Sequence, residues 1–111
     1  MPNKIDAAFA ALADPTRRAV VERLGEGPAS VSALAAGFPM AMPSFLQHIR
    51  LLEGAGLVRT AKQGRVRTCT LEPLALAAVE QWIVERRRAT EARYDRLAHF
   101  LDAQEKEKDH G

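Results

Sequence analysis

The residues predict a mainly α chain, five helices with one small two-stranded β-hairpin, and three observations carry that expectation. Segment 44–58, Ser-Phe-Leu-Gln-His-Ile-Arg-Leu-Leu-Glu-Gly-Ala-Gly-Leu-Val, repeats Phe45, Ile49 and Leu52 at three- and four-residue intervals, which is the spacing of a helix with one buried stripe. Two stretches rich in Val, Thr and Leu, 57–61 and 66–71, flank Lys62-Gln-Gly-Arg65, where Gly64 supplies the positive φ of a tight hairpin turn. From Glu72-Pro73 onward a long helical pattern follows, with Leu76, Val79, Trp82, Ile83, Thr90, Leu97, Phe100 and Leu101 approximating one stripe.

Length and composition narrow the field further. A chain of 111 residues supports one hydrophobic core and is short for two ordinary domains. No apolar run is long enough to cross a bilayer, and Met1-Pro-Asn-Lys-Ile-Asp6 lacks the apolar stretch of a secretory signal, so a cytoplasmic protein is expected. A single cysteine, Cys69, forms no intrachain disulfide and no thiolate cluster, which leaves packing to hold the fold. The formal net charge is only +2, yet residues 44–70 carry Arg50, Arg59, Lys62, Arg65 and Arg67 against Glu53, a local net of +4. Positive charge gathered in one segment suits an anionic partner.

Taken in order, residues 4–13 place Ile5, Phe9 and Leu12 at helical spacing and predict a short first helix with that stripe buried. Asp14 then caps and Pro15 opens a second helix, whose buried face is Val20, Val21 and Leu24 before Gly25 and Gly27. Ser30 caps a third helix carrying Val31, Leu34 and Ala35, closed by Gly37. The Phe38-Pro39 turn leads to the fourth, at whose cap position Ala41 offers no acceptor, a loss of about 1 kcal/mol against Ser or Asp. The last helix is expected to run to about residue 103, giving a domain over 1–103 and a charged, flexible tail over 104–111 that lacks apolar anchors.

A helix of this size fits the major groove, and Ser44, Gln47 and His48 are side chains that bond base edges or nearby phosphates, with Met42 suited to a thymine methyl. Arg50 is placed on the phosphate backbone or against the domain's own acids. Lys62, Arg65 and Arg67 on the hairpin suit phosphates or the minor groove, adding affinity with little sequence information. A plain solvated surface explains any one of these side chains; the helix-turn-helix and the basic hairpin together favour DNA.

Other chemistry finds little support. Glu91, Asp95 and His99 at four-residue spacing can share a helix face as metal ligands, but a solvated face paired with Arg96 accounts for them more simply, and no metal or cofactor is assigned. Cys69, flanked by threonines, reads as a small buried apolar residue in preference to a redox switch. Arg86-Arg-Arg88 are expected to pair with Glu85, Glu91 or acids of a partner. No phosphate-binding glycine loop, no nucleophile with base and orienting acid, and no metal-hydrolase signature occurs, so an enzyme is not expected.

Helix, helix, helix-turn-helix, hairpin and long helix, in that order, resemble the ArsR family of bacterial winged helix-turn-helix regulators. The resemblance covers most of the chain and is carried by Leu12-Ala-Asp-Pro-Thr-Arg-Arg18, the Gln47-His48 pair, Leu52-Glu-Gly-Ala-Gly-Leu-Val58 and Gly64-Arg65. It implies a homodimeric repressor on an inverted-repeat operator, released by an effector that here would be an unknown small molecule. It also implies pairing through the first and last helices, onto Ile5, Phe9, Val79, Trp82, Ile83, Leu97, Phe100 and Leu101. Pro43-Ser-Phe-Leu-Gln-His48 and Pro73-Leu-Ala-Leu-Ala-Ala-Val-Glu-Gln-Trp82 are similar to a subgroup that does not sense metals. A winged-helix protein-interaction module of the anti-activator type, without DNA binding, is the alternative; the clustered positive charge speaks against it.

Overall fold

The computed structural model describes residues 4–110. Its elements in chain order are α1 (Lys4–Leu12), α2 (Pro15–Leu24), β1 (Ala29–Ser30), α3 (Val31–Ala35), α4 (Met42–Gly54), β2 (Val58–Gln63), β3 (Val66–Leu71) and α5 (Pro73–His110). Two compact units divide between Val79 and Glu80.

In the first unit, local chemistry sets each boundary. The Asp14 carboxylate accepts the Arg17 N–H at 3.0 Å and Pro15 takes the first turn of α2, where its missing N–H costs nothing. The end of α1 lacks a glycine cap, and α2 supplies the missing donors. Arg17 Nε and Nη2 donate to the Ala11 and Ala10 carbonyls at 2.6 and 3.2 Å, and Arg18 Nη1 donates to the Leu12 carbonyl at 2.8 Å. Ser30 Oγ accepts the Ala33 N–H at 3.1 Å and starts α3.

Ala41 makes no side-chain cap for α4, as its methyl side chain requires. Pro43 in the first turn has no N–H, so the uncapped end carries one orphan donor fewer. The other end closes with a Schellman motif: Gly56 N–H bonds the Glu53 carbonyl and Leu57 N–H the Leu52 carbonyl, both at 3.0 Å. That geometry needs a left-handed residue, and Gly56 has φ +76°. The chain then enters β2 directly. Gly64, at φ +62°, occupies the first position of the two-residue loop between Gln63 and Val66, the pattern of a type II′ turn.

The wing corrects one expectation, being three-stranded instead of two-stranded, in the antiparallel order β1-β3-β2. Ala29 and Ser30 pair with Cys69 and Thr68 and cover what would be the open edge of β3. Two residues are too few to leave an alternating pattern, and Ser30 reads as a helix cap alone. In α1 the buried residues are Ala8 and Ala11; Ile5 and Leu12 are half-buried and Phe9 is 38% exposed. The expected Ile5-Phe9-Leu12 stripe is therefore rotated, because the small alanines allow close approach of the helix to the core.

Phe45, Leu52, Leu57, Val20, Val58 and Cys69 are the largest fully buried side chains, and the rings of Phe38 and Phe45 stack at 5.4 Å between centroids. Cys69 is a core residue on the central strand, and burial pushes its thiol up from the ordinary value. Val79 is also buried in this core, at 8% exposure. Among the described residues no buried side-chain nitrogen or oxygen lacks a hydrogen bond.

The second unit is the part of α5 from Glu80 onward, where none of the described side chains is buried. Arg86 bonds locally, 3.9 Å from Glu85 and 5.4 Å above the Trp82 ring. Ile83, Tyr94, Leu97, Phe100 and Leu101 are each about half or more exposed. The helix continues through residues 104–110, so the backbone does not change at the boundary drawn near residue 103. Successive Glu and Lys residues there are good helix formers, and residue 111 of the expected tail lies outside the described residues. No helix among the described residues is long and apolar enough to cross a membrane.

Candidate nucleic-acid interface

Burial of Phe45, Ile49 and Leu52 fixes which way α4 faces. On the opposite side Ser44, Gln47 and Arg50 project away from the core, and Met42 at the helix start is 43% exposed. The face expected for DNA contact is thus polar and open over about two turns. His48 differs. It is half-buried, with Nδ1 at 3.2 Å from Arg17 Nη1 and 3.7 Å from Asp14 Oδ2.

Asp14 and Arg17 are members of this site that the residue pattern did not assign to it. The hydrogen bond from the Arg17 N–H holds the Asp14 carboxyl below the usual carboxylate value, against the opposing effect of desolvation and with help from the Arg17 charge. Their three-residue separation signals a helix cap; their approach to a histidine 31 positions further on from Arg17 depends on how α2 packs against α4.

The wing sorts its cations into two sets. Lys62 and Arg65 are exposed near the hairpin turn, and their side chains, like that of Arg50, make no hydrogen bond or ion pair among the described residues. Arg59 is paired with Glu72 at 3.2 Å, which removes it from the open positive set. Arg67 donates to Thr60 Oγ1 at 3.0 Å, and the Thr60 hydroxyl donates to Glu53 Oε2 at 3.1 Å. This chain of bonds crosses the hairpin and ends on the last turns of α4. These exposed bonds link wing and helix, with positive charge on the hairpin and a polar helix face beside it.

Among the described residues, no three His, Cys, Asp or Glu side chains are grouped to hold a metal ion. Glu91, Asp95 and His99 lie along one exposed helix in the second unit.

Known proteins carry the same architecture. A helix-turn-helix domain family matches residues 12–61, the span from the end of α1 into β2. HTH-type transcriptional regulator Rv2034 of Mycobacterium tuberculosis is 46% identical over 74 residues, which are 67% of this chain and 69% of that protein. The crystal structure of an ArsR family transcriptional regulator, RHA00566, is 54% identical with a TM-score of 0.78, covering 80% of this chain and 98% of that one. The chain belongs to the ArsR family of transcriptional regulators. An ArsR-like transcriptional regulator from Rhodococcus sp. RHA1 is similar over 87% of this chain and 89% of its own, at 31% identity and a TM-score of 0.69.

This chain is accordingly a DNA-binding protein of the helix-turn-helix type, acting in transcription regulation.

Proposed function

We propose that the protein is a homodimeric repressor that binds an inverted-repeat operator. Met42, Ser44, Gln47 and His48 read base edges, while Arg50, Lys62, Arg65 and Arg67 hold phosphates. The observation that carries this reading is the Arg67–Thr60–Glu53 chain of hydrogen bonds, which joins the wing to the recognition helix so that both meet one duplex together. Exposed apolar groups on α5, chiefly Leu97, Phe100 and Leu101 with Trp82 and Ile83, together with Ile5 and Phe9 of α1, supply the contact between protomers. A helix that shows this much apolar surface to water gains most by pairing with a second copy. Two recognition helices related by a twofold axis then enter successive major grooves, with half-site centres about 34–36 Å apart.

Fluorescence anisotropy on the DNA upstream of the protein's own reading frame tests the assignment. Gln47→Ala should lose operator affinity and approach the affinity for random DNA; unchanged discrimination would remove Gln47 from base readout. Arg65→Ala should weaken all sequences alike and lower the slope of log K against log salt by about one unit. A reporter fused to that upstream DNA should rise when the protein is absent, and a fall would make it an activator. Sedimentation at micromolar concentration should give a dimer.

A further inference from the structure

Within the recognition face, His48 is the residue whose proton position the rest of the fold dictates. An arginine guanidinium carries only donors and does not lose its proton in proteins, so the 3.2 Å contact between Arg17 Nη1 and His48 Nδ1 leaves Nδ1 a single role, acceptor. A neutral imidazole that accepts through Nδ1 carries its proton on Nε2. Asp14 does not reverse this. Its Oδ2 lies 3.7 Å from Nδ1, beyond hydrogen-bond reach, and already accepts the Arg17 N–H at 3.0 Å.

Nor is the guanidinium free to turn away. Nε and Nη2 are tied to the Ala11 and Ala10 carbonyls at the end of α1, and these two bonds set the plane in which Nη1 points at the histidine. Nε2 of His48 has no partner among the described residues.

We propose that Arg17 is a positioning residue that makes His48 a hydrogen-bond donor, through Nε2–H, toward an acceptor on the operator. In the major groove the acceptors are N7 and O6 of guanine, N7 of adenine and O4 of thymine, whereas the exocyclic amine of cytosine is refused. The inference rests on the assignment of His48 to the DNA face. It adds that a residue of the α1–α2 junction, remote in sequence from the recognition helix, determines which base edges His48 accepts.

The test combines NMR of the free protein with DNA titrations of four chains: wild type, Arg17→Met, His48→Ala and the double variant. At alkaline pH, where imidazole is neutral, long-range nitrogen–proton correlation of the wild type should show a bare Nδ1 and a protonated Nε2. A proton on Nδ1 overturns the proposal without any substitution, so the result does not depend on whether Arg17→Met folds. In Arg17→Met the two tautomers should mix.

On the operator, His48→Ala and Arg17→Met should each lose about tenfold in affinity, the size of one hydrogen bond, and the double variant should lose no more than His48→Ala alone. Losses that multiply would mean that Arg17 acts elsewhere, and the proposal falls. Wild-type affinity in His48→Ala would overturn the DNA assignment and with it the proposal, whereas a proton on Nδ1 together with lost affinity in His48→Ala would overturn the proposal alone. Arg17→Lys, which keeps a cationic donor, should recover part of the affinity and of the Nε2–H signal; no recovery of either counts against the proposal.

Discussion

Up to Val79 the protein closes on itself, and from Glu80 it does not. In the first region helix ends are capped by side chains or by neighbouring arginines, six large side chains are fully buried and the sheet edge is covered by Ala29-Ser30. In the second region one helix carries Trp82, Ile83, Tyr94, Leu97, Phe100 and Leu101 with none of them buried. The same apolar residue types therefore act differently: Phe45 contributes to the stability of one chain, whereas Phe100 contributes only when something covers it. Core stability and the proposed self-association should therefore be separable, and substitutions should divide accordingly.

The largest effect should come from Phe45→Ala, which empties a fully buried site and should cost about 3–5 kcal/mol in urea unfolding. Phe100→Ala should leave the unfolding of the core nearly unchanged, within about 0.5 kcal/mol for a surface site, and instead weaken self-association in sedimentation. Equal losses for the two would erase the distinction between the regions.

A finer contrast lies at the end of α4. Gly56→Ala should lose about 1 kcal/mol, because φ +76° disfavours any side chain although the space is open. Two residues earlier Gly54 is helical, and a methyl group added there would meet nothing within 4 Å, so Gly54→Ala should gain about 0.5–1 kcal/mol. Thermal unfolding of the pair should move in opposite directions, and movement in the same direction would refute the reading of this cap.

The smallest effect concerns Asp14. Its carboxyl titrates lower in the folded chain than its ordinary value of 3.8, so its stabilising contribution is complete above that value and fades as pH falls through the folded one. Asp14→Asn should flatten the acid limb of a melting-temperature profile below about pH 4 and leave the neutral region with only the change in cap strength. An unchanged acid limb would show that the cap does not discriminate between charge states.

Much of the first region can be read directly from residue order. Asp14-Pro15, Ser30, the weak cap at Ala41 and the glycine that ends α4 act over three or four positions, and local rules suffice for them. What residue order does not show depends on distance. Arg59 and Arg67 look like free cations beside Lys62 and Arg65, but Glu72 pairs with one and Thr60 holds the other. Ala8 and Ala11, weak signals in any hydropathy pattern, are buried where Phe9 is the stronger candidate by residue type. Val79 continues the stripe of α5 without interruption, although its environment is the core. His48 has a proton assignment only because Arg17 reaches it from another helix.

The hydroxyl of Thr60, bridging Arg67 and Glu53, has one more implication. Two elements joined in advance by side-chain hydrogen bonds should forfeit less conformational freedom on the proposed duplex, which lowers the entropic cost of binding. For the DNA contact proposed above, a tract whose minor or major groove departs from the span these bonds favour should bind more weakly even where every contacted base is correct.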